Sequence, residues 1–300
     1  MGPAKIVAFS ALVVLVALNL VAIRFTNREL APFWNAAARF ALAAAAFGLI
    51  AAVRRIPLPS PRAVAGSVIY GAFAFAAFFA LLYLGLVHAT AALGQVVLAM
   101  GPLITLLFAA AVGLEPLRAR AIAGALVALV GVAVVFGAQE HLGVPVTSLL
   151  ALAGAASSFA AGAIVSKRLP PIDPVWQNAV GTAVGGAVLL ALSRVAAEHV
   201  TLPQDGVTWL WFGYLVLPGT VIVFGLYLYL LRRLPASIVS YQFILAPLVS
   251  IALGAALLDE PAGFGTLLGA VIVAAGVYLG ALGGDRIATG EGRSDAVRRG

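Results

Sequence analysis

Residues 101–131 read GPLITLLFAAAVGLEPLRARAIAGALVALVG, and residues 246–276 read APLVSIALGAALLDEPAGFGTLLGAVIVAAG. The second stretch repeats the first 145 positions later, and the similarity runs without a gap from Ala89 to Val135. The repeated positions are Pro102 and Pro247, Glu115-Pro116 and Glu260-Pro261, Gly124-Ala125 and Gly269-Ala270, and Gly131-Val132 and Gly276-Val277. A repeat of this length in an apolar chain indicates a membrane protein built from two copies of one helical bundle.

The composition is that of a protein that spans a membrane many times. Of the 300 residues, 63% are hydrophobic and 10% are charged, whereas a soluble domain carries about 25% charged residues. Ten apolar runs are long enough to cross about 30 Å of hydrocarbon. They cover residues 4–23, 32–53, 63–84, 89–113, 119–137, 148–165, 176–192, 209–231, 236–258 and 264–282. Barrel strands are shorter and alternate in polarity, so the predicted fold class is an all-α polytopic membrane protein.

The net charge of +7 is distributed unequally between the two sides of a ten-helix arrangement. Fourteen Lys and Arg residues fall on one side, and only Arg24, Arg28 and Arg194 fall on the other. Basic residues mark the cytoplasmic side, so both termini are expected in the cytoplasm. The same distribution explains the basic charge without a nucleic-acid partner.

Five helices per repeat is an odd number, so the two copies enter the membrane in opposite orientations. The sequence therefore predicts two inverted five-helix repeats, residues 4–137 and 148–282, and a cytoplasmic tail at 283–300. In transporters built this way, the substrate site lies near the middle of the membrane between the repeats, and access alternates between the two sides. A central cavity is expected here for the same reason.

These residues resemble a known family. A mid-helix Pro, a terminal Glu-Pro and a Gly-rich helix, present twice in ten helices, are similar to the EamA type of the drug/metabolite transporter superfamily. Within it, the chain most resembles bacterial inner-membrane exporters of aromatic amino acids. The resemblance implies an exporter of small metabolites, such as aromatic or other neutral amino acids, located in the bacterial inner membrane.

Arg39 is the one charged residue well inside a predicted span. It lies about seven residues, or roughly 10 Å, from the start of the second span. Two interpretations are open. The side chain could extend to the membrane surface, or it could bind the carboxylate of an amino-acid substrate. Its counterpart in the second half, Gly181, carries no charge.

Polar and aromatic side chains inside the spans indicate where a cavity would lie, because burying them in lipid is costly. The predicted cavity residues are Asn19, Phe79, Tyr83, Gln95, Ser158, Tyr227, Ser240, Tyr241 and Gln242. Ser and Thr could instead bond to their own helix, and aromatic rings could simply pack against other helices. Pro102, Pro218 and Pro247 are predicted hinges or kinks.

The glycines that recur at seven-residue spacing, Gly124 with Gly131 and Gly269 with Gly276, favour close helix packing. Glu115 and Glu260 end their helices and are interpreted as interfacial residues, with a gate or proton site as the alternative. All eleven carboxylates lie in loops, helix ends or the tail, so uncoupled transport is the simpler mechanism.

Other classes of function find little support in the residues. An intramembrane enzyme would need a convergent catalytic set, which the sequence lacks, so no catalytic activity is expected. A metabolite or drug antiporter of the same superfamily remains the alternative within transport. With no Cys, and His88, His141 and His199 not at helical spacing, no metal or cofactor is expected. The expected partners are a small-molecule substrate and the lipid bilayer, and the protein is expected to act as a monomer.

Overall fold

The computed structural model describes residues 3–114, 119–138, 143–168, 170, 172–231, 233, 242–258 and 263–282. These residues form helices and connecting turns, as predicted. The α-helices are α1 (Pro3–Thr26), α2 (Pro32–Val53), α3 (Pro61–Gly71), α4 (Phe78–His88), α5 (Ala91–Leu98), α6 (Gly101–Ala111), α7 (Ala119–Ala138), α8 (Val146–Arg168), α9 (Pro174–Val195), α10 (Gly206–Val216), α11 (Val223–Leu231), α12 (Gln242–Leu258) and α13 (Phe264–Val277).

Within the described part of the chain, three π-helical segments interrupt or extend these helices. Ala72–Ala77 joins α3 to α4, Leu217–Ile222 joins α10 to α11, and Tyr278–Leu282 follows α13. The first two segments are 145 residues apart, which is the offset of the sequence repeat. A π-helical turn rearranges the backbone hydrogen bonds and often occurs at functional sites.

Eight helical stretches of the described chain are long and apolar enough to cross a membrane, and residues 245–258 and 264–280 form shorter apolar helices. Large apolar side chains such as Leu49, Leu129 and Val271 are more than half exposed on their outer faces. A soluble protein avoids such extended apolar surfaces, but lipid covers them in a membrane. The predicted spans at 4–23 and 63–84 lengthen to Pro3–Thr26 and Pro61–His88.

Helix starts follow local capping rules. Pro32, Pro61 and Pro174 occupy the first turns of α2, α3 and α9, where a missing N–H costs nothing. The side chains of Ser60 and Thr90 each accept a hydrogen bond from the backbone three residues later. Asp205 caps α10 in the same way, and the N–H of Thr208 lowers the pKa of the Asp205 carboxyl.

α2 packs against α9, and each helix ends beside the start of the other. The Glu198 carboxylate, just beyond α9, accepts hydrogen bonds from the backbone N–H groups of Phe33 (3.1 Å) and Trp34 (2.8 Å). At the opposite end, the Trp176 ring N–H donates to the carbonyl of Ile56, just beyond α2. The two helices are therefore antiparallel and fixed at both ends.

α7 and α13 pack closely through the glycines that the sequence singled out. A Cβ on Gly131 would lie 2.6 Å from the backbone nitrogen of Val273 and 2.7 Å from the carbonyl oxygen of Gly269. Gly124 is equally close to Gly276 and Gly280. Only glycine allows the two backbones to approach this closely, so the predicted packing role is confirmed.

Further contacts join residues before 138 to residues after 146. α1 packs against α11 and α12, while α8 packs against α4 and α6. α5 contacts α12 as well. The buried core between them includes Phe40, Phe75, Tyr83, Leu93 and Leu152. Packing along this central region places residues from both parts of the chain around one cavity.

Candidate functional site

A cavity with a volume of about 170 Å³ lies among α1, α4, α5, α8 and α11. This is room for a small molecule, because a single water needs far less. Most of its wall is apolar. Its polar lining residues are Asn19, Arg39, Gln95, Tyr227 and Gln242, and its aromatic rings are Phe78, Phe79, Phe159 and Phe224.

Arg39 reaches this cavity from α2 and is only 1% exposed. Its Nε donates to the Thr220 hydroxyl at 2.9 Å, and its Nη2 donates to the Gly219 carbonyl at 3.1 Å. Longer bonds run from Nη2 to Asn19 Oδ1 (3.3 Å) and from Nη1 to the Tyr83 hydroxyl (3.4 Å). The side chain points into the protein, which rules out its extension to the membrane surface in this conformation.

The acceptors for Arg39 come from the π-helical segment Leu217–Ile222. Pro218 lies in this segment and lacks a backbone N–H. The Gly219 carbonyl accepts from both Arg39 and the Asn19 amide, the latter at 2.9 Å. A side chain at Gly219 would collide with Asn19. The Thr220 hydroxyl donates to the Leu215 carbonyl at 2.8 Å, which leaves its lone pairs for Arg39.

The guanidinium charge has no carboxylate partner among the described residues. The described acids Glu29, Asp173, Glu198 and Asp205 all lie at helix ends or in loops. The rings of Phe40 and Phe79 lie 5.1 Å from the Arg39 Cζ and contribute cation–π attraction. Four of the five guanidinium N–H groups have acceptors, and the fifth, on Nη1, has none among the described residues.

Gln95 supplies a second unsatisfied polar group. Its side chain is 2% exposed and lines the cavity from α5. Its Oε1 has no hydrogen-bond partner among the described residues. A buried carbonyl oxygen without a donor costs free energy, so this atom would gain from a ligand N–H or O–H. Arg39, a charged donor, and Gln95, a neutral acceptor, are both lining residues of this cavity.

The predicted cavity residues divide into three groups. Asn19, Phe79, Gln95, Tyr227, Gln242 and Arg39 line the cavity. Tyr83 is fully buried behind it and contacts Arg39, while Ser158 is half-buried and is not among the lining residues. Ser240 and Tyr241 lie outside the described residues, as do Glu115 and Glu260.

The three predicted hinge prolines have different surroundings. Pro102 lies in the first turn of α6, just after Ala99 and Met100, which separate α5 from α6 within one predicted span. Pro218 lies in the π-helical segment, whereas Pro247 lies inside α12 without a break in the helix. Thr105 and Ser157, two polar residues of the spans, bond to carbonyls of their own helices. That is the alternative expected for hydroxyl side chains.

Sequence reasoning missed part of the lining. Gly219 lines the cavity and is not among the predicted cavity residues, although Pro218-Gly219 inside a span indicates irregular backbone. Thr220 is not a lining residue, but its hydroxyl accepts the hydrogen bond from Arg39 Nε. Phe78, Phe159 and Phe224 also line the cavity, and nothing in their spacing separated them from packing residues. Among the described residues, no group of His, Asp or Glu side chains is arranged to hold a metal ion.

The chain is similar to a solved structure and to relatives that are named as an efflux pump and a transporter. One solved crystal structure matches with a TM-score of 0.65 and 22% sequence identity, covering 94% of this chain and 99% of that one, and this likeness concerns the fold. A Salmonella typhimurium protein named "Probable amino-acid metabolite efflux pump" is 28% identical over 92% of this chain and 94% of its own length. The Escherichia coli K12 protein named "Uncharacterized inner membrane transporter YedA" is 30% identical over 56% of this chain and 54% of its own length.

The model of the EamA-like transporter family matches the chain twice, over residues 4–137 and 146–281. These two matches cover nearly all of the membrane-spanning helices and agree with the two copies predicted from the repeat. The chain therefore belongs to the EamA-like transporter family.

Proposed function

We propose that this transporter exports amino acids with apolar or aromatic side chains through the central cavity, by alternating access. The observation that carries the proposal is the buried Arg39, which lines the cavity without a described carboxylate partner. Such a guanidinium is a suitable site for a substrate carboxylate, and the N–H on Nη1 is available to it. The rings of Phe78, Phe79 and Phe159 would contact the side chain of the substrate.

The proposed architecture is ten spans in two inverted five-helix repeats, residues 4–137 and 148–282. In this arrangement α1 of the first half corresponds to α8 of the second, α4 corresponds to α11, and α6 corresponds to α12. The contacts of α1 with α11 and α12 therefore have their counterparts in the contacts of α8 with α4 and α6. Exchange of the two halves leaves the pairs α2 with α9 and α7 with α13 unchanged. The π-helical segments at 72–77 and 217–222 support this relation, because they share the offset of the sequence repeat.

The name of the Salmonella relative supports the substrate class, since that protein is called an amino-acid metabolite efflux pump and aligns with 92% of this chain. The name of the YedA relative supports an inner-membrane location. We place both termini and the tail at 283–300 in the cytoplasm from the distribution of basic residues. The transporter is proposed to act as a monomer.

Transport is proposed to be uncoupled from protons. Proton-coupled carriers commonly titrate a carboxylate inside the membrane. Each described carboxylate lies outside the spans, and Glu29 and Glu198 accept hydrogen bonds from backbone N–H groups there. Asn19, Tyr83 and Thr220 hold Arg39 in position through hydrogen bonds. Pro102 and Pro218 are the proposed flexible points of the transport cycle.

The test is counterflow of labelled phenylalanine and leucine in liposomes containing the purified protein, with and without a proton gradient. We expect flux that the gradient leaves unchanged and that Arg39→Gln reduces at least about tenfold, the effect of roughly 1.4 kcal/mol. Arg24→Gln is the matched control, because Arg24 donates to the carbonyls of Leu86 and Val87 and is not among the lining residues. Absence of amino-acid flux, with transport of phosphorylated metabolites or lipophilic cations, would establish the metabolite or drug antiporter instead.

A further inference from the structure

The charge in the described lining of the cavity is positive. Among the described residues that line it, Arg39 is the one charged side chain, and its nearest described partners are neutral oxygens. A substrate carboxylate would be paired there. A substrate ammonium would be removed from water without a described carboxylate to pair with, and this is costly for a charged group.

The neutral amide oxygen of Gln95 needs a hydrogen-bond donor, and that donor does not have to be charged. The amide oxygen of Gln95 lacks a donor and is buried in the lining. A neutral amide oxygen accepts a hydrogen bond from an alcohol O–H or from an ammonium N–H. The bond from the ammonium is the stronger of the two. Since a hydroxyl loses less on leaving water than an ammonium does, it satisfies Gln95 at a lower desolvation cost.

We propose that the same site binds 2-hydroxy acids with apolar or aromatic side chains, the neutral-hydroxyl counterparts of the amino acids. The carboxylate pairs with Arg39, the 2-hydroxyl donates to Gln95 Oε1, and the side chain contacts Phe78, Phe79 and Phe159. This inference rests on the cavity and the carboxylate recognition of the proposed function. It adds that the ammonium group is not required for binding.

Four ligands that differ by one group test this by isothermal titration calorimetry on the purified full-length protein. They are phenylalanine, phenyllactate, 3-phenylpropionate and 2-phenylethylamine. We expect phenyllactate to bind within about threefold of phenylalanine, and 3-phenylpropionate, which lacks the hydroxyl, to bind about tenfold more weakly. 2-Phenylethylamine, which lacks the carboxylate, should show no binding at ten times the phenylalanine concentration.

The variant Gln95→Leu isolates the hydroxyl contact. It replaces an unsatisfied amide by an apolar group of similar size, so the fold should tolerate it. In this variant the affinity ratio of phenyllactate to 3-phenylpropionate should fall from about ten to about one. Gln177→Leu, on α9 and not among the lining residues, should keep the wild-type ratio.

Each result of the titrations has a separate meaning. Binding of phenylalanine without phenyllactate, or an unchanged ratio in Gln95→Leu, overturns this inference and leaves the amino-acid exporter in place. Binding of phenyllactate without phenylalanine supports the inference and overturns the amino-acid function. Binding of 2-phenylethylamine alone overturns both.

Discussion

The Nη2 atom of Arg39 lies 3.1 Å from the carbonyl oxygen of Gly219, so a charged side chain on α2 is bound by backbone 180 positions later in the chain. This bond and the one to the Thr220 hydroxyl link the two matched family segments, 4–137 and 146–281, at the wall of the cavity. The position of the guanidinium therefore depends on both segments.

Thr220→Val tests this positioning, because it removes the acceptor for Arg39 Nε while keeping the shape of the side chain. A hydrogen bond to a charged group contributes about 1.5–3 kcal/mol to stability. Without it the guanidinium is no longer held in place at the cavity wall, so affinity for the carboxylate ligand should fall by up to about tenfold. Calorimetric titration with phenylalanine measures it.

Thr182→Val is the control for that variant. Thr182 is equally buried, but its hydroxyl donates to the Asn178 and Ala179 carbonyls of its own helix. Its replacement should leave affinity unchanged. Equal losses in both variants would show that Thr220 acts through general packing and not through Arg39.

Gly131→Ala should destabilise the protein, because the new methyl group would lie 2.6 Å from the Val273 backbone nitrogen. Overpacking of this kind costs about 1–3 kcal/mol. Gly137→Ala on the same helix meets nothing within 4 Å and should be neutral. Melting temperatures of the two purified variants give the comparison, and equal values would contradict the close packing of α7 on α13.

Glu198→Ala should lower the melting temperature, because the carboxylate satisfies two backbone N–H groups at the start of α2. Loss of such a cap costs about 1 kcal/mol, and the favourable interaction with the helix dipole is lost as well. His199→Ala, at the exposed neighbouring position, serves as the reference. A melting temperature unaffected by Glu198→Ala would mean that water replaces the cap.

The apolar length of the spans predicted the all-helical fold class and the positions of most described helices. The spacing of Gly124 and Gly131 predicted the contact face of α7. Both features can be seen within a short stretch of sequence. A helix that crosses the bilayer needs a minimum apolar length, and glycines that line one face of a helix must recur at a regular spacing.

The partners of Arg39 were beyond sequence reasoning. A depth of about 10 Å is compatible both with extension to the surface and with an interior position, so the sequence left both open. The choice is made by Gly219 and Thr220, whose oxygens face Arg39 because of the π-helical turn and the packing of α2 beside it. Such an arrangement exists only after the helices have assembled.

Because Arg39 has no carboxylate partner among the described residues, its charge would make the proposed transport cycle sensitive to voltage. A bilayer potential of 100 mV acts on one elementary charge with about 2.3 kcal/mol across the full membrane. Any step of the cycle that shifts α2 along the membrane normal moves Arg39 through part of that field. A bound zwitterion leaves the moving charge at one, whereas a bound anion cancels it, so loaded carriers with these two cargoes would respond differently to the same resting potential.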